Sequence, residues 1–443
     1  MKYVYLFGQG ITQGKANQVN VLGGKGANLA EMSRLDIPVP PGFTISTSVC
    51  NLFLQKNHLN KTIKSSISNA IKKIEKNTSK KLGDETNPLL LSVRSGAKIS
   101  MPGMMETVLN IGLTSKTIPA LIKKTKNEKF VYDSYRRLIM MYADVVMEKA
   151  EQKNHIKIRE KLESVLAQQK KIKNISKDSD LSINDLKQII IKFKKLIQKN
   201  LGADFPDSCN AQLWGAIEAV FKSWNGKRAI QYRNIESIPH NWGTAVNVQT
   251  MVFGNLGNTS ATGVAFTRNP SNGQNLLYGE WLKNAQGEDV VAGIRTPNPI
   301  NKASKTLQTK NSATLQKVWP TIYNQLVKIK DKLETHYKDM QDIEFTIEAG
   351  KLWMLQTRRG KRTGEAAIKI AIEMNEKRLI TQKEVIQRVT ASSLDEIMHA
   401  KVNPDEEAIL KPIEIGLPAS PGGAVGQIVF TATDAEKWHK KKK

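Results

Sequence analysis

Residues 342–358 read DIEFTIEAGKLWMLQTR, and their alternation calls for an antiparallel hairpin with two unlike faces. Asp342, Glu344 and Thr346 fall on one side of the first strand; Ile343, Phe345 and Ile347 fall on the other. The turn must lie within EAGK. A two-residue loop, Ala349-Gly350, would set Ile343 opposite Gln356 and break the apolar pattern. A three-residue loop, Glu348-Ala349-Gly350, pairs Phe345 with Trp353, Ile343 with Leu355 and Asp342 with Gln356, and places Gly350 where such loops need a left-handed residue. The three-residue loop is therefore predicted. Two carboxylates and an amide oxygen on one face suit Mg²⁺, which takes a few carboxylates and completes its shell with phosphate oxygens. The same alternation also describes an edge hairpin facing solvent.

A second stretch, SVRSGAKISMPGMMETVLNIGL (92–113), follows the apolar residues Leu89, Leu90, Leu91 and Val93, which form a strand that delivers Arg94. The loop after it contains Gly96, Pro102 and Gly103. A permanently charged Arg beside a glycine-bearing loop suits a phosphate, although the loop matches neither a P-loop nor GxGxxG. A strand, an exposed Arg and a turn is the plainer alternative. Gly24-Lys25-Gly26 sits at a helix start, where backbone N–H groups attract anions and Lys25 adds charge; a solvated Lys on a capped helix is the plainer reading of these residues alone. Thr262 and Gly263 open another strand, and Glu280 and Glu288 bracket a polar loop.

The 443 residues suffice for two to four domains. No run of about 18 apolar residues occurs, so no membrane span is expected. The opening MKYVYLFGQG reads as a strand rather than a secretory signal. Two cysteines, Cys50 and Cys209, cannot build a disulfide framework, and a reducing cytoplasm is expected. The formal charge is +26. Its lysines are scattered over helical stretches poor in aromatic residues, so base-stacking platforms are missing and no specific nucleic-acid partner is expected.

Residues 1–110 read as mixed α/β, with Gly23-Gly24 preceding a helix and residues 42–48 a strand. Residues 115–200 read as successive helices. One carries the stripe Val131, Tyr135, Leu138, Ile139, Tyr142, Val145 and Val146; another opens at Ser182 with Asp185 in capping-box position and the stripe Ile183, Leu186, Ile190, Phe193 and Ile197. A single helix is predicted over 211–233. Strands follow at 244–253, 262–268, 276–282, 343–347 and 352–357, with helix at about 313–339 and a helical linker over 363–402.

Six blocks, LGGKGANLAEM (22–32), DSYRRLIMMYADVVM (133–147), GTAVNVQTMVFGN (243–255), TGVAFTRNP (262–270), NAQGEDVVAGIRTP (284–297) and DIEFTIEAGKLWMLQTRRGKRT (342–363), resemble in one order the nucleotide-binding part of the pyruvate, phosphate dikinase family. The resemblance implies an α+β / α/β chain with an ATP-grasp fold. Its first part would span 1–114, a helical subdomain 115–200, the nucleotide and metal part 201–362, a helical linker 363–405, and the start of a phosphohistidine domain 406–443. It implies ATP as substrate with Mg²⁺ held by Glu344 and Gln356. Asp342, Arg94 and Arg358 would serve the transfer. Lys25, Arg94, Thr262 and Glu288 would contact the nucleotide, and a lid over Ser100–Met105 would bring the Gly103 and Met105 amides to the moving phosphoryl group. In that family a pyrophosphoryl group passes from ATP to a swivelling histidine, inorganic phosphate takes the terminal phosphoryl, and a barrel converts pyruvate to phosphoenolpyruvate. Homodimerisation is implied through that C-terminal part.

None of His58, His155, His240, His336, His399 or His439 stands in the family's acceptor motif, a Gly-Gly pair followed by Thr-Ser-His. The expectation is therefore a chain limited to the nucleotide half-reaction, with the phosphohistidine domain and the barrel supplied in trans or, where the terminal Lys run marks a frameshift, lost. A non-catalytic nucleotide-binding remnant and a phosphoenolpyruvate synthase-like module are the alternatives.

Overall fold

The fold comes from a computed structural model, which describes residues 2–8, 10–151, 156–291, 296–306, 309–398, 425–431, 434 and 437–438; the side chains of Glu288 and Val291 lie outside it. Most of the expected start of a further domain at 406–443 falls outside the described residues. The chain divides into two units. The first comprises residues 1–267, 277–333 and 341–359, and the second 268–276, 334–340 and 360–443.

The first unit is mixed α and β and contains two five-stranded sheets. One joins β1 (Val4–Phe7), β2 (Gly42–Ile45), β3 (Leu91–Gly96), β4 (Thr107–Ile111) and β5 (Ala245–Thr250) in the order β1-β2-β5-β3-β4. The other joins β6 (Ala261–Phe266), β7 (Tyr278–Lys283), β8 (Asn298–Pro299), β9 (Gln341–Glu348) and β10 (Lys351–Arg359) in the order β10-β9-β6-β7-β8. Every pairing between these strands is antiparallel. The apolar run before Arg94 is buried because β3 is an inner strand: Leu89, Leu91 and Val93 are fully covered.

Between β4 and β5 the chain is helical. Helix Glu128–Tyr142 buries Val131, Tyr135, Leu138, Ile139 and Tyr142, and a wider π turn, Ala143–Lys149, carries the stripe on through Val145. In helix Ile183–Leu201 the Ser182 hydroxyl accepts from the Asp185 amide and the Asp185 carboxylate accepts from the Ser182 amide, which closes the expected capping box.

The single helix expected over 211–233 is two, Cys209–Ser223 and Lys227–Ile235. The chain breaks because Trp224 is buried with its indole N–H donating to the His240 carbonyl (2.8 Å), while Gly226 turns extended to start the second helix. Arg233 holds the corner, its guanidinium 4.2 Å over the Trp224 ring.

The hairpin is also built differently from the expectation. Glu348 pairs with Lys351, so the loop is the two-residue Ala349-Gly350, both with positive φ as a type I′ turn requires. The apolar pattern survives because a bulge between Met354 and Gln356 resets the register. Beyond it Glu344 faces Gln356, Ile343 faces Thr357 and Asp342 faces Arg358. Neighbouring chain fixes both devices. The Ala349 and Gly350 amides donate to the Ser260 hydroxyl and the Thr259 carbonyl, and the Met354 amide donates to the Pro38 carbonyl (2.7 Å).

In the second unit, helices Gly364–Glu376, Gln382–Arg388 and Ala391–Met398 occupy the expected linker. Arg268 is fully buried there, paired with Glu334 (3.1 Å) and Glu373. Among the described residues, no helix is long and apolar enough to cross a membrane.

Candidate functional site

The site begins at a backbone contact. Helix Val19–Arg34 is broken at Gly23, whose φ of 66° and ψ of 169° lie outside helical space. The Gly24 amide beyond the break donates to the Ala97 carbonyl (2.8 Å), pinning the restarted helix against the end of β3. Gly26 lies against Thr44 and Asn247 with no room for a side chain. Lys25, between these glycines, is thereby held beside Arg94.

Arg94 crosses from its own sheet to the other. Its Nη2 lies 3.3 Å from Glu344 on β9, and its Nη1 reaches the Leu355 carbonyl on β10 at 3.5 Å. Glu344 stands opposite Gln356, whose side chain is buried. Arg358, one pair along the hairpin after the intervening Ile343–Thr357 pair, donates from Nε to Asp342 at 2.7 Å and from Nη1 to the Ser100 hydroxyl at 3.5 Å. Three cations and two carboxylates therefore share one polar surface. The helix is tied to it through Asn28, whose amide donates to the Thr357 carbonyl (3.0 Å).

The electrostatics follow from this crowding. Lys25 has no hydrogen-bonding or ion-pairing partner among the described residues. Burial pushes its ammonium down to about 7, Arg94 and Arg358 add to the fall, and Glu344 opposes it. Burial also raises the Asp342 carboxyl above its ordinary range; the attraction of Arg358 only partly offsets this, and Glu344 adds to the rise. An anion entering among these groups would relieve the repulsion among the three cations.

The structure thus gathers Lys25, Arg94, Asp342, Glu344, Gln356 and Arg358. Thr262 lies on the same face of its sheet: it faces Thr346, two residues along β9 from Glu344, and its hydroxyl donates to the Phe345 carbonyl (3.3 Å). Gly103 and Met105 lie on the loop whose Ser100 meets Arg358. Gly103 is exposed with open space around it, and Met105 is half-buried against the core. Glu280 is a mid-strand residue of β7 rather than the edge of a loop, and burial raises its carboxyl. Glu288 falls on the short helix Gly287–Val291, and its side chain lies outside the described residues.

One contact escaped the sequence reading. Arg137, from the helical block, reaches Asp289 at 3.1 Å beside the β7–helix loop. The block was expected only to pack, and helical periodicity holds no sign of a side chain that leaves its own helix to reach another element.

Among the described residues, no cluster of three His, Cys, Asp or Glu side chains could hold a metal. Glu344 and Gln356 nonetheless present two hard oxygen donors side by side. This sparse set fits a cation such as Mg²⁺ that draws its remaining ligands from phosphate and water.

The chain matches the family model described as "Pyruvate phosphate dikinase, AMP/ATP-binding domain" over residues 19–70, 62–325 and 308–379. It is 51% identical over 435 residues to pyruvate, phosphate dikinase of Rhizobium meliloti, covering 98% of this chain and 47% of that protein. It is 48% identical to pyruvate, phosphate dikinase of Clostridium symbiosum, covering 99% of this chain and 48% of the relative. It is 47% identical to the chloroplastic pyruvate, phosphate dikinase 1 of Arabidopsis thaliana, covering 99% and 43%. The chain spans about half the length of these relatives.

Proposed function

The chain belongs to the pyruvate, phosphate dikinase family, and from that premise we propose that its first unit is an ATP-grasp module that binds Mg-ATP and performs the nucleotide half of the dikinase reaction. The observation that carries this reading is the convergence of Lys25, Arg94 and Arg358 on the face that holds Glu344 and Gln356. Phosphoryl transfer asks little covalent chemistry of a protein; it asks for positioning and for cations around the equatorial oxygens.

In this reading Arg94 and Lys25 hold the polyphosphate from the side of the first sheet. Arg358, steadied by Asp342, holds it from the hairpin. Glu344 and Gln356 would hold Mg²⁺, which when bound offsets phosphate charge. The Ser100–Met105 loop, tethered through Ser100, closes over the phosphates and excludes water, with the Gly103 and Met105 amides turned toward the moving group. Thr262 and Glu288 border the nucleotide. The acceptor would be a histidine on a phosphohistidine domain, with inorganic phosphate taking the terminal phosphoryl. In the whole dikinase reaction, ATP, pyruvate and phosphate give AMP, phosphoenolpyruvate and diphosphate.

Titration calorimetry with Mg-ATP tests the reading. Glu344→Ala and Gln356→Ala are each expected to weaken Mg-ATP binding by about tenfold while the chain stays folded. Wild-type affinity in both variants would refute the metal assignment.

A pH dependence follows from Lys25. Its ammonium is half lost near pH 7 in the free site, whereas a bound polyphosphate favours the charged form. Binding above pH 7 must therefore take up a proton, and affinity should fall by up to about tenfold per pH unit. Lys25→Met removes this dependence. The wild-type-to-variant affinity ratio, which cancels the ionisation of ATP itself, should shrink from pH 7 to pH 8.5. A ratio constant across that range would show that Lys25 is not the titrating group.

A further inference from the structure

Gln286 is a buried amide whose side chain has no hydrogen-bond partner among the described residues. Its side chain is 6% exposed, and among the described residues neither its Oε1 nor its Nε2 has a hydrogen-bond partner. Buried carboxamides almost always find partners, because each polar atom taken from water without one is costly. A loosely held loop does not account for this one. The Asn284 amide donates to the Ser260 carbonyl (2.8 Å), the Ala285 amide to the Gly254 carbonyl (2.9 Å) and the Gln286 amide to the Asp289 carboxylate (2.9 Å). Arg137 holds Asp289 in turn. The backbone is fastened on both sides of a side chain that has nothing to bind.

Its position gives the vacancy a meaning. The next residue, Gly287, lies against the Thr262 hydroxyl: a β-carbon there would stand 4.0 Å from it. Thr262 faces Thr346, and Val264 faces Glu344, so Thr262 shares the polar face of β9 with Glu344 and Asp342. Two residues of strand separate Thr262 from the level of Glu344, about 7 Å. A polyphosphate seated between Arg94 and the hairpin spans such a distance.

We propose that Gln286 is a ligand-binding residue of this site: its Nε2 donates to a polyphosphate oxygen of the bound Mg-nucleotide, and its Oε1 accepts from a water hydrating that chain. The inference rests on the nucleotide-binding reading above. The vacant amide is the preorganised form of the contact, since the loop bonds that place it are made before the ligand arrives.

Gln286→Leu keeps the side-chain volume and removes both polar atoms. Thermal unfolding of the full chain without ligand is compared with titrations of Mg-ATP and of Mg-tripolyphosphate. The expected result is a melting temperature unchanged or raised, because an unpaired buried amide is gone, together with about tenfold weaker binding of both ligands. A merely structural amide would behave in the opposite way, and a lowered melting temperature with wild-type affinities would overturn the proposal. Weaker ATP binding with tripolyphosphate unaffected would also overturn it, by moving the contact to the nucleoside. If wild type binds both ligands and the variant binds them equally well, this proposal alone fails. If wild type binds neither, the nucleotide reading fails and takes this inference with it.

Discussion

Arg94→Ala is expected to weaken Mg-ATP binding by about 30-fold or more without unfolding the chain. The side chain does two things that no neighbour duplicates. It carries a permanent positive charge into a largely buried position, only 14% exposed, and it spans the two sheets by reaching Glu344 at 3.3 Å and the Leu355 carbonyl at 3.5 Å. Truncation removes one of the three clustered cations and leaves the Glu344 carboxylate without its ion-pair partner. Removing one member of a hydrogen-bonded charge pair at a buried binding surface costs about 2–5 kcal/mol of binding free energy, which corresponds to roughly 30- to several-thousandfold. Arg94→Lys should recover little, because a single ammonium cannot address a carboxylate, a carbonyl and a phosphate with the reach and fixed fork of a guanidinium. Calorimetric titration with Mg-ATP, alongside a melting curve, decides the matter. A variant within threefold of wild type would place the nucleotide elsewhere.

Gly23→Ala is expected to lower the unfolding free energy by about 2–6 kcal/mol, seen as a shift in the urea midpoint at unchanged slope. Two independent causes add. The backbone sits at φ 66° and ψ 169°, a region that essentially only glycine occupies, at a cost of about 1–3 kcal/mol to other residues. A β-carbon would also fall 1.7 Å from the Gly96 carbonyl oxygen and 2.5 Å from its carbon. Both are backbone atoms of an inner strand and cannot rotate away, so overpacking adds about 1–3 kcal/mol. Gly103→Ala separates the two causes. Gly103 also has a positive φ, 71°, but no atom lies within 4 Å of the β-carbon position, so only the conformational cost of about 1–2 kcal/mol should appear. Equal losses in the two variants would refute the close approach at Gly23. Because Gly96 follows Arg94 by two residues, the Gly23 variant should also bind Mg-ATP more weakly, whereas the Arg94 variant should change binding with little effect on stability.

The features legible in the sequence were those set by neighbours along the chain. The alternation of Ile343, Phe345 and Ile347 against Asp342, Glu344 and Thr346 marks β9 because successive side chains of a strand point to opposite faces. Ser182 and Asp185 mark a helix start because their reciprocal bonds close within four residues. The stripe from Val131 to Val145 marks a helix packed on one side. Lys25 and Arg94 could be singled out as anion-binding candidates because each stands beside glycines at an element's end. The continuous helix over 211–233 failed for the complementary reason: the pattern remains helical through Trp224, but burial of that indole against His240 bends the chain.

The hairpin separates the two kinds of information most clearly. Its strands, its faces and its polar residues were written in local alternation, but its register was not. The choice between two loops depended on Thr259 and Ser260 receiving the turn and on Pro38 accepting the Met354 amide, partners that lie about 90 and 316 positions away along the chain. Those bonds favour the two-residue turn and a bulge, and the bulge sets Glu344 opposite Gln356 and Asp342 opposite Arg358. The meeting of Arg94 with Glu344, 250 residues apart, is likewise a product of two sheets packing and not of either strand. The sequence by itself determined most of the elements, the faces they bury and which residue types are candidates for a phosphate, because periodicity and capping are short-range properties. Only the tertiary structure decided register, the company each charge keeps and the unpaired amide of Gln286, because hydrogen bonds and charge pairs between distant segments exist only once the chain has folded.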